Sequence, residues 1–495
     1  MTDEAETNPA EAMTFEVLRS ALIDGSAARL GRLALAGRKT IDTPNFFALT
    51  SRGVVPHITP DNVDKHLDTG GVYMALEDFI ERPQQHQKRQ PPIYDTPTTK
   101  RHPRPLHSFT ATPPSVMTIL GARRIPAVAS PMGNTNTSVS VFTSQGFQVL
   151  TTKEYHQAVA TLQPDIAIPL ADLSHHGPVT PTSKRALRMA ERTDEWLGSY
   201  LADLPSLSKT ATYAPIPPVP FPIQWEYLSR LSEDLLPLKK IAGLALYDPD
   251  ILPDLLTAHQ NLTPLPRLSL SAPPTPHHIL RHIALGTDIF TLPFLNTVSD
   301  SGLALTFSLT PPPPTSPSSS QILPLATDLS TPQNATSLTP LSKNCTCYAC
   351  TAHHAAYIHH LLSAREMLAW TLLQMHNHAV LSQFFADIRA SLLSNTFTEK
   401  AALFARSYEP EFPAGMGERP RARGYQYKSA GGDGKRNRPA WEKFEGDGDK
   451  KEVGVEPGTR SEGLETPLVP DEVDGTAAAL DHMGFAEIEH GAEQK

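Results

Sequence analysis

All three cysteines of this chain fall in the run Cys345-Thr-Cys347-Tyr-Ala-Cys350, and Met375-His376-Asn377 follows downstream. Thiols packed so closely point to a metal. Zn²⁺ takes four tetrahedral ligands from Cys sulfur and His nitrogen, and a structural site is closed by protein groups alone. A Cys3His set meets that demand. The competing reading is a cluster of unliganded cysteines, since free Cys is often a small core hydrophobe.

Helix geometry selects the histidine. One unbroken helix from Cys350 to His376 would hold its ends ~39 Å apart at ~1.5 Å per residue, too far for shared coordination. The stretch Ser363-Ala-Arg-Glu366 has the S-x-x-E form of a capping box, which predicts a new helix start midway. Two antiparallel helices of similar length then carry the chain out and back. In the second, Leu361, Leu368, Leu372 and Met375 set an apolar seam beside His376. The region is crowded with other imidazoles (His353, His354, His359, His360 and His378), of which His359 and His360 fall near the turn, away from the thiols.

The C-x-C-x2-C run and the distant His-Asn, with Ala356-Tyr357-Ile358-His359-His360 and Arg365-Glu366-Met367-Leu368 between them, resemble the zinc subdomain of the tRNA-guanine transglycosylase family. The resemblance implies an α/β fold: a TIM (β/α)8-like barrel carrying a zinc hairpin. It implies one structural Zn²⁺ per subunit, on Cys345, Cys347, Cys350 and His376. It also implies an activity that exchanges guanine at the anticodon wobble position for a deazaguanine base. Thr43-Pro44 and Ser51-Arg-Gly53-Val-Val55-Pro-His57-Ile-Thr59 are similar to the way such barrels open. The resemblance covers roughly residues 15 to 400 and is strongest at 341 to 379 and 281 to 307.

At 495 residues the chain accommodates one large domain with appendages, or two domains. Its 48 prolines are roughly twice the usual ~5 %, and they gather in discrete stretches that predict long irregular connections. No apolar run of ~18 residues is present to span a membrane. The acidic start Met-Thr-Asp-Glu-Ala-Glu-Thr lacks a signal core and argues against secretion. A reducing, cytoplasmic setting fits thiols reserved for metal. Net charge is -9, but residues 401 to 495 hold 13 Lys/Arg against 19 Asp/Glu, so the body is close to neutral. That argues against a strongly basic, self-sufficient nucleic-acid binder.

Along the chain, residues 1–13 read as disordered and 14–308 as the barrel. Short strands around a Gly turn are expected from Met13 to Leu33. Barrel strands are expected at Ala127–Ala129, Val139–Phe142, Asp165–Ile168, Ile241–Leu246, Arg267–Leu270 and Gly286–Phe290, with an amphipathic helix over Ser183–Leu201. Residues 82–115, Pro-rich and basic, read as a solvated loop. Residues 309–341 form a Pro/Ser/Thr-rich insertion unable to bury a core. Residues 342–400 hold the zinc subdomain and closing helices. Residues 413–495 form a charged, mostly disordered tail with one short helix near Ala477–Met483.

Base exchange at a ribose needs a carboxylate nucleophile and an acid or base for the purine proton. Active members of the family carry Asp-Ser-Gly-Gly-Phe-Gln, where this chain has Thr143-Ser144-Gln145-Gly146-Phe147-Gln148. They carry Gly-x-Asp-x-Phe-Asp, where this chain has Gly286-Thr-Asp288-Ile-Phe290-Thr291. Neutral hydroxyls thus stand in both aspartate positions, and no catalytic residue is assigned. After Pro164-Asp165-Ile166, the purine-reading carboxylate falls at Ala171 or Asp172. Gln224 matches a purine-reading glutamine but is followed by Trp225 and Glu226 instead of glycines; Glu226, Asp248 and Asp250 are acidic but belong to no motif.

The resemblance is therefore to the non-catalytic, accessory branch of the family. It implies a heterodimer with a catalytic queuine tRNA-ribosyltransferase subunit, and tRNA contact through that complex. It also implies support of queuine incorporation at position 34 of tRNAs with GUN anticodons. In some relatives it extends to peripheral association with the mitochondrial outer membrane. Two alternatives remain open: a transglycosylase active alone through relocated carboxylates, and a zinc-stabilised RNA-binding module.

Overall fold

The computed structural model describes residues 13–20, 26–80, 91–130, 132–144, 146–173, 181–203, 210–312 and 322–416. The expectations for residues 1–12, for the tail beyond 416 with its helix near Ala477–Met483, and for Gln145 lie outside the described residues.

Eight strands close into a parallel barrel: β4 (Asn45–Leu49), β5 (Gly71–Ala75), β6 (Met117–Gly121), β9 (Ile166–Ala167), β10 (Ala211–Ile216), β11 (Gly243–Leu246), β12 (Arg267–Ser269) and β13 (Ile289–Thr291). The ring shuts where Ile289, Phe290 and Thr291 pair with Asn45, Phe46 and Phe47. These strands are short and buried on both faces, as a parallel sheet inside a shell of helices requires. Side chains alternate across each strand. In β5, Tyr73 and Ala75 point into the lumen with Phe47, Ile119, Tyr213, Ala245 and Leu268. Val72 and Met74 point outward against the helices. The lumen is tight enough that a Cβ on Gly243 would lie 2.6 Å from the Tyr213 ring.

An antiparallel meander, β1 (Met13–Arg19), β2 (Leu30–Leu35) and β3 (Ile41–Thr43), puts Leu33, Leu35 and Ile41 into the lumen cluster. Two buried carboxylates fasten it. Asp288, just before β13, takes a bidentate bond from Arg29 (2.8 and 2.6 Å) and one from the Arg267 amide. Asp165, just before β9, accepts from Arg38 (2.9 Å) and from the Thr118 amide (2.8 Å). Both stand at the amino ends of their strands, away from the carboxyl-end mouth where such barrels place chemistry.

Several details depart from the sequence reading. Residues Ala127–Ala129 form no strand, and Met117–Gly121 supplies the barrel strand instead. Val139–Phe142 belongs to an antiparallel hairpin, β7 (Ser138–Thr143) with β8 (Gly146–Thr151), outside the barrel. Within 91–115, Ile93, Leu106 and His107 are buried, and Arg104 bonds the Pro164 carbonyl at 2.9 Å while pairing with Asp165. Residues 322–341 also bury Leu325, Leu329 and Leu341 and contain β15 (Ala326–Asp328), which pairs with β14 (Leu303–Leu305). Apolar side chains spaced among prolines suffice for a strand once a partner edge is available.

Helices cover the barrel: α1 (Thr152–Leu162), capped by a reciprocal Thr151/Glu154 box, α2 (Ser183–Ala202), α3 (Pro276–Ala284) and α4 (Phe294–Asp300). The carboxy-terminal helices are α5 (Tyr348–Ala352), α6 (Ala355–Ser363), α7 (Met367–Leu393) and α8 (Phe397–Ser407). The second half of α7 packs Phe384, Phe385 and Ile388 on Phe46 and Phe290, over the seam where the ring shuts. Among the described residues, no helix is long and apolar enough to cross a membrane.

Burial holds two histidines neutral. It lowers His107, whose Nε2 lies 2.9 Å from the Val116 carbonyl, from 6.5 to about 4. It lowers His378, packed against Phe46, to about 3. Between pH 6.5 and about 4 the unfolded chain binds protons that the fold refuses, so stability falls as pH falls. The slope is about 1.4 kcal/mol per pH unit for each histidine. Denaturant titrations at pH 7.5, 6 and 5 test this: His107→Gln should flatten the pH dependence, and an unchanged slope would refute the assignment.

Candidate metal centre and barrel mouth

Each metal-ligand candidate is placed by local backbone. Cys347 opens α5, and the Cys350 amide bonds the Cys347 carbonyl at 3.1 Å, which turns both sulfurs to one side. Helix α6 leads away, and α7 returns with His376 fully buried on it. The reversal does not use the expected capping box. Ser363 ends α6 with its hydroxyl bonded to the His359 carbonyl, and Glu366 precedes α7 without a side-chain bond. Arg365, at φ +56°, makes the turn. The arms are unequal, nine residues in α6 against 27 in α7. Leu361 sits on the outgoing arm, and Leu368 is exposed.

The four candidates converge. His376 Nδ1 lies 3.6, 3.6 and 3.3 Å from the sulfurs of Cys345, Cys347 and Cys350, and all four ligand atoms fall within 4.8 Å of one another. A tetrahedron with Zn–S of ~2.3 Å and Zn–N of ~2.0 Å has edges of roughly 3.5–3.8 Å, so the group fits such an ion. The far nitrogen settles the tautomer: Nε2 donates to the Leu305 carbonyl at 2.9 Å, which leaves the Nδ1 lone pair facing the thiols. Burial pushes the imidazole pKa down, the sulfurs of Cys345 and Cys350 push it up, and the sulfurs prevail at about 9. Hydrogen bonds from Cys345 and Cys347 hold the Cys350 thiol far below its usual range. The ring therefore presents Nδ1 to the three sulfurs, and a dication would take the place of any proton held among them.

The other histidines are engaged elsewhere. His354 caps α6, His359 meets the Leu329 carbonyl, and His353 stacks on Tyr357 at 5.4 Å. His353 also meets Tyr348, which meets His66, so an aromatic row crosses the outer face of this unit, with Tyr348, Tyr357, Leu338 and Met367 exposed. The sequence reading did not identify this row. Its members come from two short helices, the junction between them and the distant His66, so no single periodicity announces it.

At the carboxyl ends of the barrel strands lies a cavity of about 310 Å³, lined by residues including Tyr73, Arg123, Arg124, Ala171, Tyr247 and Ser271 and, among the described residues, by no carboxylate. Ala171 faces it while Asp172 turns away, fully buried, to Arg192 (2.6 Å), Arg185 (2.9 Å) and Asn134 (2.7 Å). Thr143 is buried in the β7–β8 turn, donating to the Gly146 carbonyl at 2.9 Å. Thr291 donates to the Ser269 carbonyl at 2.9 Å. Gln224 donates to the Val219 and Pro217 carbonyls, and Trp225 beside it leans on His259. Asp288 serves the barrel foot, Asp248 caps a turn, Asp250 pairs with Arg281 at the surface, and Glu226 is exposed.

Sequence reading also missed Glu77 and Asp78, although they directly follow strand β5, where barrels place functional groups. Burial raises both carboxyl pKa values, and Arg124 opposes this. Glu77 accepts from the Arg124 side chain and amide and from the Phe142 amide, and Asp78 accepts from Arg124. They clamp the β7–β8 hairpin to the mouth through these bonds.

Removing the charge of Asp172 should strand buried arginines. Asp172→Asn is expected to lower unfolding free energy by about 3–5 kcal/mol, the usual cost of breaking a buried pair, read by urea titration. A loss below ~1 kcal/mol would mean that the network is not holding the mouth.

Comparison with known proteins follows the same lines. The family model described as Queuine tRNA-ribosyltransferase matches residues 24–410. A protein of Schizosaccharomyces pombe named queuine tRNA-ribosyltransferase accessory subunit 2 is 35% identical over 433 residues, covering 85% of this chain and 91% of its own length. A protein of the same name from Xenopus laevis is 26% identical, over 77% of this chain and 97% of its own. A queuine tRNA-ribosyltransferase of Dehalococcoides mccartyi is 26% identical, over 78% and 91%. With a match across most of its length, a closed eight-stranded barrel and a Cys3His unit in the expected place, the chain belongs to the queuine tRNA-ribosyltransferase, or tRNA-guanine transglycosylase, family.

Proposed function

We propose that this chain is the non-catalytic accessory subunit of a heterodimeric queuine tRNA-ribosyltransferase. In this reading it supports exchange of guanine for queuine at position 34 of tRNAs with GUN anticodons. The observation that carries the reading is the mouth cavity, with no carboxylate in its lining among the described residues. Thr143 and Thr291 stand where active members of the family have aspartates, and each hydroxyl already donates to a backbone carbonyl. A neutral hydroxyl cannot attack an anomeric carbon or carry a purine proton without a base beside it. The names of the Schizosaccharomyces and Xenopus relatives support the same role.

Zinc on Cys345, Cys347, Cys350 and His376 would be structural, because the donor set is complete and leaves no open position. The ion would hold the α6–α7 hairpin closed. The partner, a catalytic subunit, would dock on the outer face of this unit, where the aromatic row and the exposed Leu338 and Met367 supply apolar surface. tRNA would be held by the complex, since the near-neutral body offers little counterion release of its own. The setting is cytoplasmic, with peripheral attachment to the mitochondrial outer membrane through the complex.

Incorporation of labelled base into tRNA, by this chain, by its catalytic partner and by their mixture, tests the role. Activity is expected only in the mixture; turnover by this chain alone would refute it. Metal analysis should return one zinc per chain. Cys347→Ala or His376→Ala should lose it together with heterodimer affinity, and a zinc-free variant that still pairs fully would refute the docking role.

A further inference from the structure

One edge of β14 faces α7, and among the described residues no strand pairs with it there; β15 occupies the other side. Two adjacent side chains of α7 take the place of the missing strand. His376 Nε2 donates to the Leu305 carbonyl at 2.9 Å, and Asn377 Oδ1 accepts from the Leu305 amide at 2.8 Å. The amide nitrogen of Asn377 donates to the Leu303 carbonyl at 3.0 Å and to Ser299 Oγ at 2.9 Å. Ser299 itself donates to the Leu295 carbonyl within α4. Ser299, Leu305, His376 and Asn377 are all fully buried. Every donor and acceptor of the Asn377 amide is matched, so its orientation is fixed: the oxygen must meet an N–H and the nitrogen a carbonyl.

We infer that Asn377 is a positioning residue for the metal centre. It anchors residue 305 from the amide side, and the carbonyl of that residue fixes the tautomer and plane of the His376 imidazole. Partners behind a metal-ligating histidine orient the ring and raise its basicity. Here the carbonyl is held by the neighbour of the ligand itself, so ligand and anchor move as one body. The same amide ties the metal unit, through Ser299, to α4, which follows directly on barrel strand β13. This inference rests on the proposal that the Cys3His group binds zinc, and it adds to that proposal what sets the ion's retention.

The test uses the full-length chain loaded with Zn²⁺ and titrated with a chromophoric chelator, and the Co²⁺-substituted form read by its visible absorption. Asn377→Ala should weaken zinc binding roughly 10- to 100-fold and shift the cobalt ligand-field bands. Ile358→Ala, a truncation in the same apolar cluster, should lower the Tm and leave the cobalt spectrum unchanged. Ser299→Ala removes one partner of Asn377 and should cost roughly fivefold in affinity, one hydrogen bond. It decides the question if Asn377→Ala does not fold, since wild-type affinity would then overturn the inference. Wild-type affinity and spectrum in Asn377→Ala, or matching spectral changes in Ile358→Ala, would overturn the positioning role alone. Failure of the unaltered chain to take up zinc or cobalt would overturn the metal reading beneath it.

Discussion

Closure of the barrel between β13 and β4 is the constraint on which the remaining structure depends. A parallel sheet has no tolerance for a wet face, so the seam that joins the first and last strands of the ring must be covered. The cover is α7, whose aromatic half lies on Phe46 and Phe290. The other half of the same helix carries His376 into the thiol cluster. Barrel integrity and metal-site geometry are therefore properties of one element.

Charge placement explains how the barrel keeps carboxylates in its interior without losing stability. Each buried carboxylate around the ring faces a guanidinium: Asp288 faces Arg29, Asp165 faces Arg38, Asp172 faces Arg192, and Glu77 faces Arg124. A carboxylate so paired is buried and held against a cation, and Asp288, Asp172 and Glu77 accept hydrogen bonds on both oxygens. Single-sided removal is costly because it leaves the arginine buried alone. The mouth keeps the shape of a reaction chamber and carries the electrostatics of a core.

Much of this was legible beforehand, for physical reasons. The convergence of three cysteines and one histidine could be expected because four ligands of one ion require the chain to reverse between them, although the arms of that reversal are unequal. Strands β11, β12 and β13 were legible because short apolar runs bounded by polar turns have few other uses. Strand β6 was missed because Met117–Gly121 abuts a Pro-rich segment that masked it, and Val139–Phe142 was placed in the ring because a buried hairpin strand looks like a barrel strand. The Ser363/Glu366 box failed because a non-glycine residue at positive φ made the turn instead, a choice invisible in sequence. The pairings of Asp172 and Glu77 join segments far apart in the chain, and only the fold brings their arginines near.

Helix α7 also has a mechanical consequence. Its 27 residues make a rod of ~40 Å, with Phe385 on the seam and His376 ~14 Å along the axis. A rod pivoting on the seam acts as a lever, and a tilt of about 5° there displaces the imidazole by roughly 1.2 Å at that arm length. A displacement of the Cys345–His376 unit would therefore be felt at the seam of the barrel through α7.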